Sequence, residues 1–233
     1  MEKVTILLLA VSVFGTHGYV STPGLVKVHE GDLVDLIWST QDEIGSAIRQ
    51  TFWQTYTDLD HQLMEVDNGY VHTMHACQDR CEHLSGTFMA GMRIPDITIA
   101  DAKRYILLLR GMHDLNNDAC IFVYQKPGQA QLTNHTDVVN EGDDVQLDCT
   151  APSFSRPIEC SDDVVMTYTW TRNNQTVEPD DQHSFPESDH SVLLVSDVDR
   201  EDSGNSYICN GYEEGSMFIS DASEPYVLDV QHI

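Results

Sequence analysis

The chain predicts an all-β protein built from two β-sandwiches in tandem, and three observations carry that expectation. Val145, Leu147 and Cys149 alternate with polar residues, the period of a strand with one face in a core and the other in water. Tyr207-Ile208-Cys209 ends the same region, so one cysteine points inward near its start and another near its end, with Trp170 between them. That is the layout of two sheets pinned through their middle. The pattern also occurs upstream: Glu30-Gly31-Asp32-Leu33-Val34-Asp35-Leu36-Ile37-Trp38 aligns without a gap with Glu141 to Cys149. Met92, Ile94, Ile97 and Asp101 then repeat the spacing of Leu193, Val195, Val198 and Asp202.

The order Cys149, Trp170, Cys209, with Tyr207 two residues before the second cysteine, resembles the core of the immunoglobulin superfamily. The resemblance implies two Ig-like Greek-key sandwiches. It departs in two places: Asp202 to Cys209 holds one residue more than the usual Asp-x-Gly-x-Tyr-x-Cys, and Cys149 to Trp170 needs an inserted loop that contains Cys160.

Taken in order, residues 1–18 read as a signal peptide: Lys3, an apolar run from Val4 to Phe14 too short to span a bilayer, then small residues near Thr16-His17-Gly18. Residues 19–126 form a variable-like domain without the inter-sheet cysteines, Trp38 and Leu107 standing at the cysteine positions and Trp53 at the core tryptophan. Losing that bridge costs about 2–5 kcal/mol in a small secreted domain. Burial of Trp38, Leu107 and Trp53 offsets it at about 25 cal/mol per Å². The length between Trp53 and Asp101 leaves room for added C′ and C″ strands. Pro127-Gly128 marks a short joint, and residues 127–233 form the second domain, of constant or intermediate (C2/I-like) type.

No apolar run of about 20 residues follows residue 18, so no membrane span is expected. A leader makes the six cysteines disulfide formers. Cys149–Cys209 closes a loop of about 60 residues, worth roughly 4 kcal/mol in the chain-entropy model. Cys77, Cys81, Cys120 and Cys160 are left, three cysteines falling in each domain, so parity requires either a bond between domains or two unpaired thiols. One arrangement joins Cys160 to Cys77 or Cys81, and Cys120 to the other of those two. Asn134-His135-Thr136 and Asn174-Gln175-Thr176 are glycosylation sequons. His72 to His83 has the residue types of a metal site, but its spacing matches no established zinc motif, and neither metal nor cofactor is expected.

The net charge is −26, and residues 127–233 carry 22 acidic side chains against 3 basic ones. Such a field excludes nucleic acid and anionic lipid as partners. No nucleophile elbow, His-Glu-x-x-His or phosphate-cradling loop occurs, so an enzyme is not expected. Asp197 to Asp202 invites comparison with a calcium cluster, but the structural reading, an ordinary acidic loop between strands, is preferred.

Function then falls to a surface. With Trp53, Tyr105 and Leu107 inward, alternation turns Phe52, Gln54, Ile106 and Leu108 outward on one sheet, joined by Phe122 and Tyr124. The competing expectation is that a longer loop or a partner strand covers some of these groups. The layout of the two domains resembles the CD2/SLAM family of leukocyte adhesion receptors, which implies that the exposed sheet of domain 1 binds another Ig-like or cell-surface protein. The function expected is that of a secreted binding protein for a cell-surface or immune ligand. The alternatives are a pathogen-derived soluble decoy or immunomodulator, and a secreted recognition protein for a microbial or glycan ligand.

Overall fold

The computed structural model describes residues 20–40, 49–54, 62–67, 70–73, 80–110, 115–136, 138–157, 160 and 164–231. The chain divides into two compact units. Unit 1 takes Met1–Tyr124 together with Arg156–Asp162, and unit 2 takes Gln125–Ser155 and Asp163–Ile233. Residues 156–162 are thus an excursion that belongs to unit 1, although the flanking sequence belongs to unit 2.

Unit 1 contains β1 (Val20–Ser21), β2 (Gly24–Val28), β3 (Val34–Thr40), β4 (Arg49–Gln54), β5 (Gln62–Asp67), β6 (Tyr70–Thr73), β7 (Glu82–Gly86), β8 (Met89–Ile94), β9 (Arg104–Arg110) and β10 (Leu115–Val123). They form a four-stranded sheet, β1-β3-β8-β7, and a six-stranded sheet, β2-β10-β9-β4-β5-β6. Gly24, with φ of +68°, opens β2 where the chain passes from the first sheet to the second; only glycine takes that conformation at no cost. β2 then runs parallel to β10. Leu36 and Trp38 on β3 point to the core and are fully buried, and Leu107, Leu109, Ile121 and Val123 complete it from the facing sheet. Across β3 and β8, Arg93 forks onto Asp35 at 2.7 and 2.8 Å.

One orientation expected from the sequence is reversed. Phe52, not an outward residue, lies in the core at 1% exposure, its ring edge-on to Trp38 with centroids 6.0 Å apart. The pairing register gives the reason. Phe52 stands opposite Leu107, as Trp170 stands opposite Cys209 in unit 2. Phe52 therefore occupies the position of the core tryptophan, and the register of β4 against β5 shifts between Phe52 and Trp53. The side chains of Trp53 and Gln54 lie outside the described residues.

Unit 2 contains β11 (Gln131–Asn134), β12 (Val139–Asn140), β13 (Val145–Thr150), β14 (Met166–Arg172), β15 (Gln175–Thr176), β16 (His183–Ser184), β17 (Val192–Val195), β18 (Ser206–Glu213), β19 (Tyr226–Val227) and β20 (Val230–Gln231). Two four-stranded sheets, β11-β13-β17-β16 and β15-β14-β18-β19, face each other, and β12 pairs with β20 in parallel. Cys149 and Cys209 are bonded between the sheets, Cα atoms 6.3 Å apart. Trp170 is buried beside them and donates its indole N–H to the His190 carbonyl at 2.8 Å.

The duplication seen in the sequence recurs bond for bond. Gly31 N–H donates to Ile97 O at 2.7 Å, and Gly142 N–H donates to Val198 O at 2.8 Å. Asp32 and Asp143 accept from His29 N–H and Asn140 N–H, each at 2.8 Å. Asp101 and Asp202 cap their short helical turns through the N–H groups of Thr98 and Asp199. The copies part at the tyrosine. Tyr105 OH donates to Asp101 O at 2.9 Å, closing a tyrosine corner. One extra residue separates Asp202 from Tyr207, whose hydroxyl instead pairs with His183 Nε2 at 3.2 Å.

Candidate protein-recognition surface

The six-stranded sheet of unit 1 has an inner and an outer face. On β10, Ala119, Ile121 and Val123 belong to the core, so alternation turns Cys120, Phe122 and Tyr124 outward. Outward does not mean exposed here: these three are 7%, 1% and 5% exposed. β9 begins at Arg104, opposite Cys120, which leaves the end of β10 without a neighbour on that side. Arg156 fills the vacancy. Val123 N–H donates to Arg156 O at 2.7 Å, and Arg156 N–H donates back to Val123 O at 3.1 Å. Pro157 is buried, and Cys160 is bonded to Cys120. On the same face Phe122 meets Tyr124 edge-on at 5.5 Å, Lys27 Nζ lies 5.9 Å from the Phe122 centroid, and Tyr124 lies 5.2 Å from the His29 ring.

Phe122 and Tyr124 are therefore buried, and Ile106 is buried as well at 5%. Together with Phe52 they are withdrawn as exposed docking residues: the register of β4 accounts for Phe52, and the other three are buried in the folded chain. Leu108 alone of the six keeps a half-buried side chain on this face, while Gln54 lies outside the described side chains. The bond from Cys120 to Cys160 also corrects the expected pairing of Cys160 with Cys77 or Cys81. The excursion brings Cys160 over β10, within 6.2 Å of Cys120 between Cα atoms. Cys81 is itself disulfide-bonded, and Cys77 lies outside the described residues.

What the sheet does offer is its far margin. β6 is the edge strand, and all four of its residues are exposed, with Tyr70 at 74% and Val71 at 45%. Among the described residues it pairs on one side only, Val71 against Val66 and His72 against Glu65. The sequence Tyr70-Val71-His72-Thr73 carries no carboxylate or ammonium, in a chain of net charge −26. Natural edge strands are usually blunted by charge, proline or a bulge, and β6 has none of these. A signal for it existed in the sequence: Asn68-Gly69 between two β-prone runs is a strong hairpin marker.

Elsewhere in the unit Arg80 ties the turn before β9 to the segment before β7. Its guanidinium forks onto Asp101 at 3.0 and 2.8 Å and reaches the carbonyls of Pro95 and Asp96 at 3.2 Å. Burial alone would raise the Asp101 carboxyl. The Arg80 fork and the Thr98 N–H and hydroxyl outweigh it and hold the group below the ordinary carboxylate range. In unit 2, Gln182 takes the place of Arg80, donating to Asp202 at 2.7 Å.

The other singled-out residues sort as follows. In the acidic run, Asp199 accepts from Glu201 N–H and Asp202 from Asp199 N–H, so these carboxylates close a local turn. Among the described residues no group of three or more His, Cys, Asp or Glu is placed to hold a metal ion. Asn174 is exposed in the two-residue turn between β14 and β15, with φ of 65°. Asn134 is half-buried, its amide nitrogen donating to Thr136 O at 2.6 Å and Tyr226 OH at 3.0 Å. No helix among the described residues is long and apolar enough to cross a membrane.

An immunoglobulin-domain family model matches residues 128–224. Lachesin of Drosophila melanogaster is 26% identical over 128 residues, covering 53% of this chain and 32% of its own length, so the chain spans about a third of that relative. Among solved structures, murine CEACAM1b is similar over 92% of this chain and 100% of its own, at 17% identity and a TM-score of 0.45. A marsupial T cell receptor is similar over 91% of this chain and 72% of its own, at 11% identity and a TM-score of 0.49. The family match thus finds an immunoglobulin domain in residues 128–224, and unit 1 has a two-sheet, all-β architecture of the same kind as unit 2.

Proposed function

We propose that the chain is an extracellular recognition protein that binds another protein through the β5–β6 margin of unit 1, with Tyr70 and Val71 as its anchors. Recognition of proteins is the common work of immunoglobulin domains, and fold alone does not choose the surface. One observation carries the choice: an uncharged, exposed edge strand bearing a tyrosine, on a sheet whose other described aromatic side chains are buried. Tyrosine is enriched at binding hot spots because it combines a large apolar ring with a polar tip. The acidic remainder of the chain favours a partner that is neutral or basic around its contact.

The test uses the full chain, expressed through a secretory pathway and screened against a panel of purified cell-surface ectodomains. Tyr70→Ala combined with Val71→Asp is expected to weaken any specific binding at least tenfold while leaving the melting profile in place. Equal binding by this variant would remove the margin as the contact surface. In the same preparation, glycopeptide mapping is expected to find a glycan on Asn174, and its absence there would argue against the extracellular reading.

A further inference from the structure

Unit 2 holds both sequence motifs for an N-linked sugar, and the fold treats their asparagines in opposite ways. Asn173 and Asn174 form the two-residue turn of the β14–β15 hairpin, closed by the pairing of Arg172 with Gln175, with φ of 52° and 65°. Such a turn needs positive φ at both positions, and asparagine tolerates it better than most residues. Asn173 does the holding: its Oδ1 accepts from Ser206 N–H at 2.9 Å, and its amide nitrogen donates to Asn205 Oδ1 at 2.7 Å. Asn174 keeps an exposed side chain that makes no hydrogen bond among the described residues, and Gln175 and Thr176 after it are exposed as well. Asn134 is the reverse case. Its Oδ1 accepts from Thr136 N–H at 3.0 Å, and its amide nitrogen donates to Thr136 O at 2.6 Å and to Tyr226 OH at 3.0 Å. Asn134 lies on β11, at the edge of one sheet, and Tyr226 on β19, at the edge of the other. His135 between them is held too, its Nε2 paired with Asp148 Oδ2 at 2.6 Å. We infer that Asn174 carries an N-linked glycan, and that Asn134 is instead a staple between the two sheets of unit 2.

The chemistry of the transfer separates the two. The asparagine amide nitrogen bonds to the anomeric carbon of a glycosyl diphosphate donor, the bond from that carbon to the diphosphate oxygen breaks, and the nitrogen gives up one of its two protons. At Asn174 neither proton has a partner among the described residues. At Asn134 both are in use, so a sugar there displaces the bond to Thr136 O or the one to Tyr226 OH, and it must also find room beside a half-buried amide. Transfer precedes folding, so the difference is expressed as stability. A chain with sugar on Asn134 closes its sandwich without the staple and is depleted from the folded, exported protein. The glycan assignment rests on the extracellular reading above, since only a chain in the secretory pathway meets the donor; the staple does not depend on it.

The experiment expresses the full chain in eukaryotic cells, collects it from the medium and treats it with peptide N-glycosidase in isotope-labelled water, which marks each former glycan site as a labelled aspartate. The Asn174 peptide is expected to carry the label and the Asn134 peptide to lack it. The mobility shift produced by the glycosidase should be lost in Asn174→Gln and unchanged in Thr136→Ala, which removes the other acceptor motif but keeps the Asn134 amide. Melting reads the staple: Tyr226→Phe, which deletes only the hydroxyl, should lower the unit 2 transition by about 4–8 °C, the worth of one hydrogen bond in a unit of this size. Thr136→Ala should leave that transition in place. Sugar on Asn134 in the exported protein would overturn the inference, and so would an exported chain with none on Asn174. An unshifted transition in Tyr226→Phe would remove the staple. A chain that never leaves the cytosol would count against the extracellular reading and take the glycan assignment with it, while the Tyr226→Phe melting would still decide the staple.

Discussion

Replacing Arg80 by alanine tests the clamp that closes the bottom of unit 1. The substitution removes both arms of the fork on Asp101 and strips the carbonyls of Pro95 and Asp96 of a donor. Asp101 is left as a carboxylate only 9% exposed. Taking one partner from a buried ion pair costs about 3–5 kcal/mol. Arg80 is 39% exposed, and solvent screening on that side brings the expected loss to about 2–3 kcal/mol. For a unit of this size each kcal/mol is worth about 4–8 °C, so the melting transition of unit 1 should fall by about 10–20 °C. Calorimetry of the full chain measures it, with Asp101→Ala and the double variant completing a thermodynamic cycle. The pH dependence has a fixed sign. Because the folded Asp101 carboxyl sits below its ordinary range, its contribution is complete above the unfolded value and is lost as pH falls through the folded one. The gap between wild type and Arg80→Ala should therefore narrow below about pH 4. A drop of less than about 3 °C at pH 7, or a gap that widens in acid, would refute the clamp.

Two further outcomes separate core from surface. Phe52→Ala should cost unit 1 about 3–5 kcal/mol in chemical denaturation, as for a buried phenylalanine, whereas Tyr70→Ala should stay within about 0.5 kcal/mol. Equal, small effects would mean that Phe52 does not pack against Trp38. His83 is pushed below its ordinary pKa by burial, its ring set edge-on to Phe52 and 3.1 Å from Gln50 Oε1. The unfolded chain takes up that proton near pH 6.5 and the folded one resists, so stability should decline as pH falls from about 7 toward 5. In His83→Gln, urea midpoints over that range should fall less steeply than in wild type; an equal slope would assign the effect elsewhere.

What the sequence by itself determined is local in origin. Strand alternation at Val145, Leu147 and Cys149, and its counterpart at Val34, Leu36 and Trp38, follows from a two-residue period that each segment carries alone. The duplicated turns at Gly31 and Gly142 are equally local, since each aspartate caps an amide three residues away. The sandwich class and its duplication were therefore legible before any coordinates. Orientation within β4 was not, because a shift of one residue exchanges the two faces. Whether residue 52 or 53 faces inward depends on pairing with Leu107 on a strand far along the chain, and the irregularity at Phe52 and Trp53 conceals it. The fate of Phe122 and Tyr124 lay further still from local rules. Their pattern reads as an open sheet face, yet both are buried in the folded chain, and beside them Arg156 returns to Val123 and Cys160 to Cys120. Spacing and parity restrict which sulfurs can pair, but proximity in three dimensions selects the pair, and proximity is a property of the folded chain.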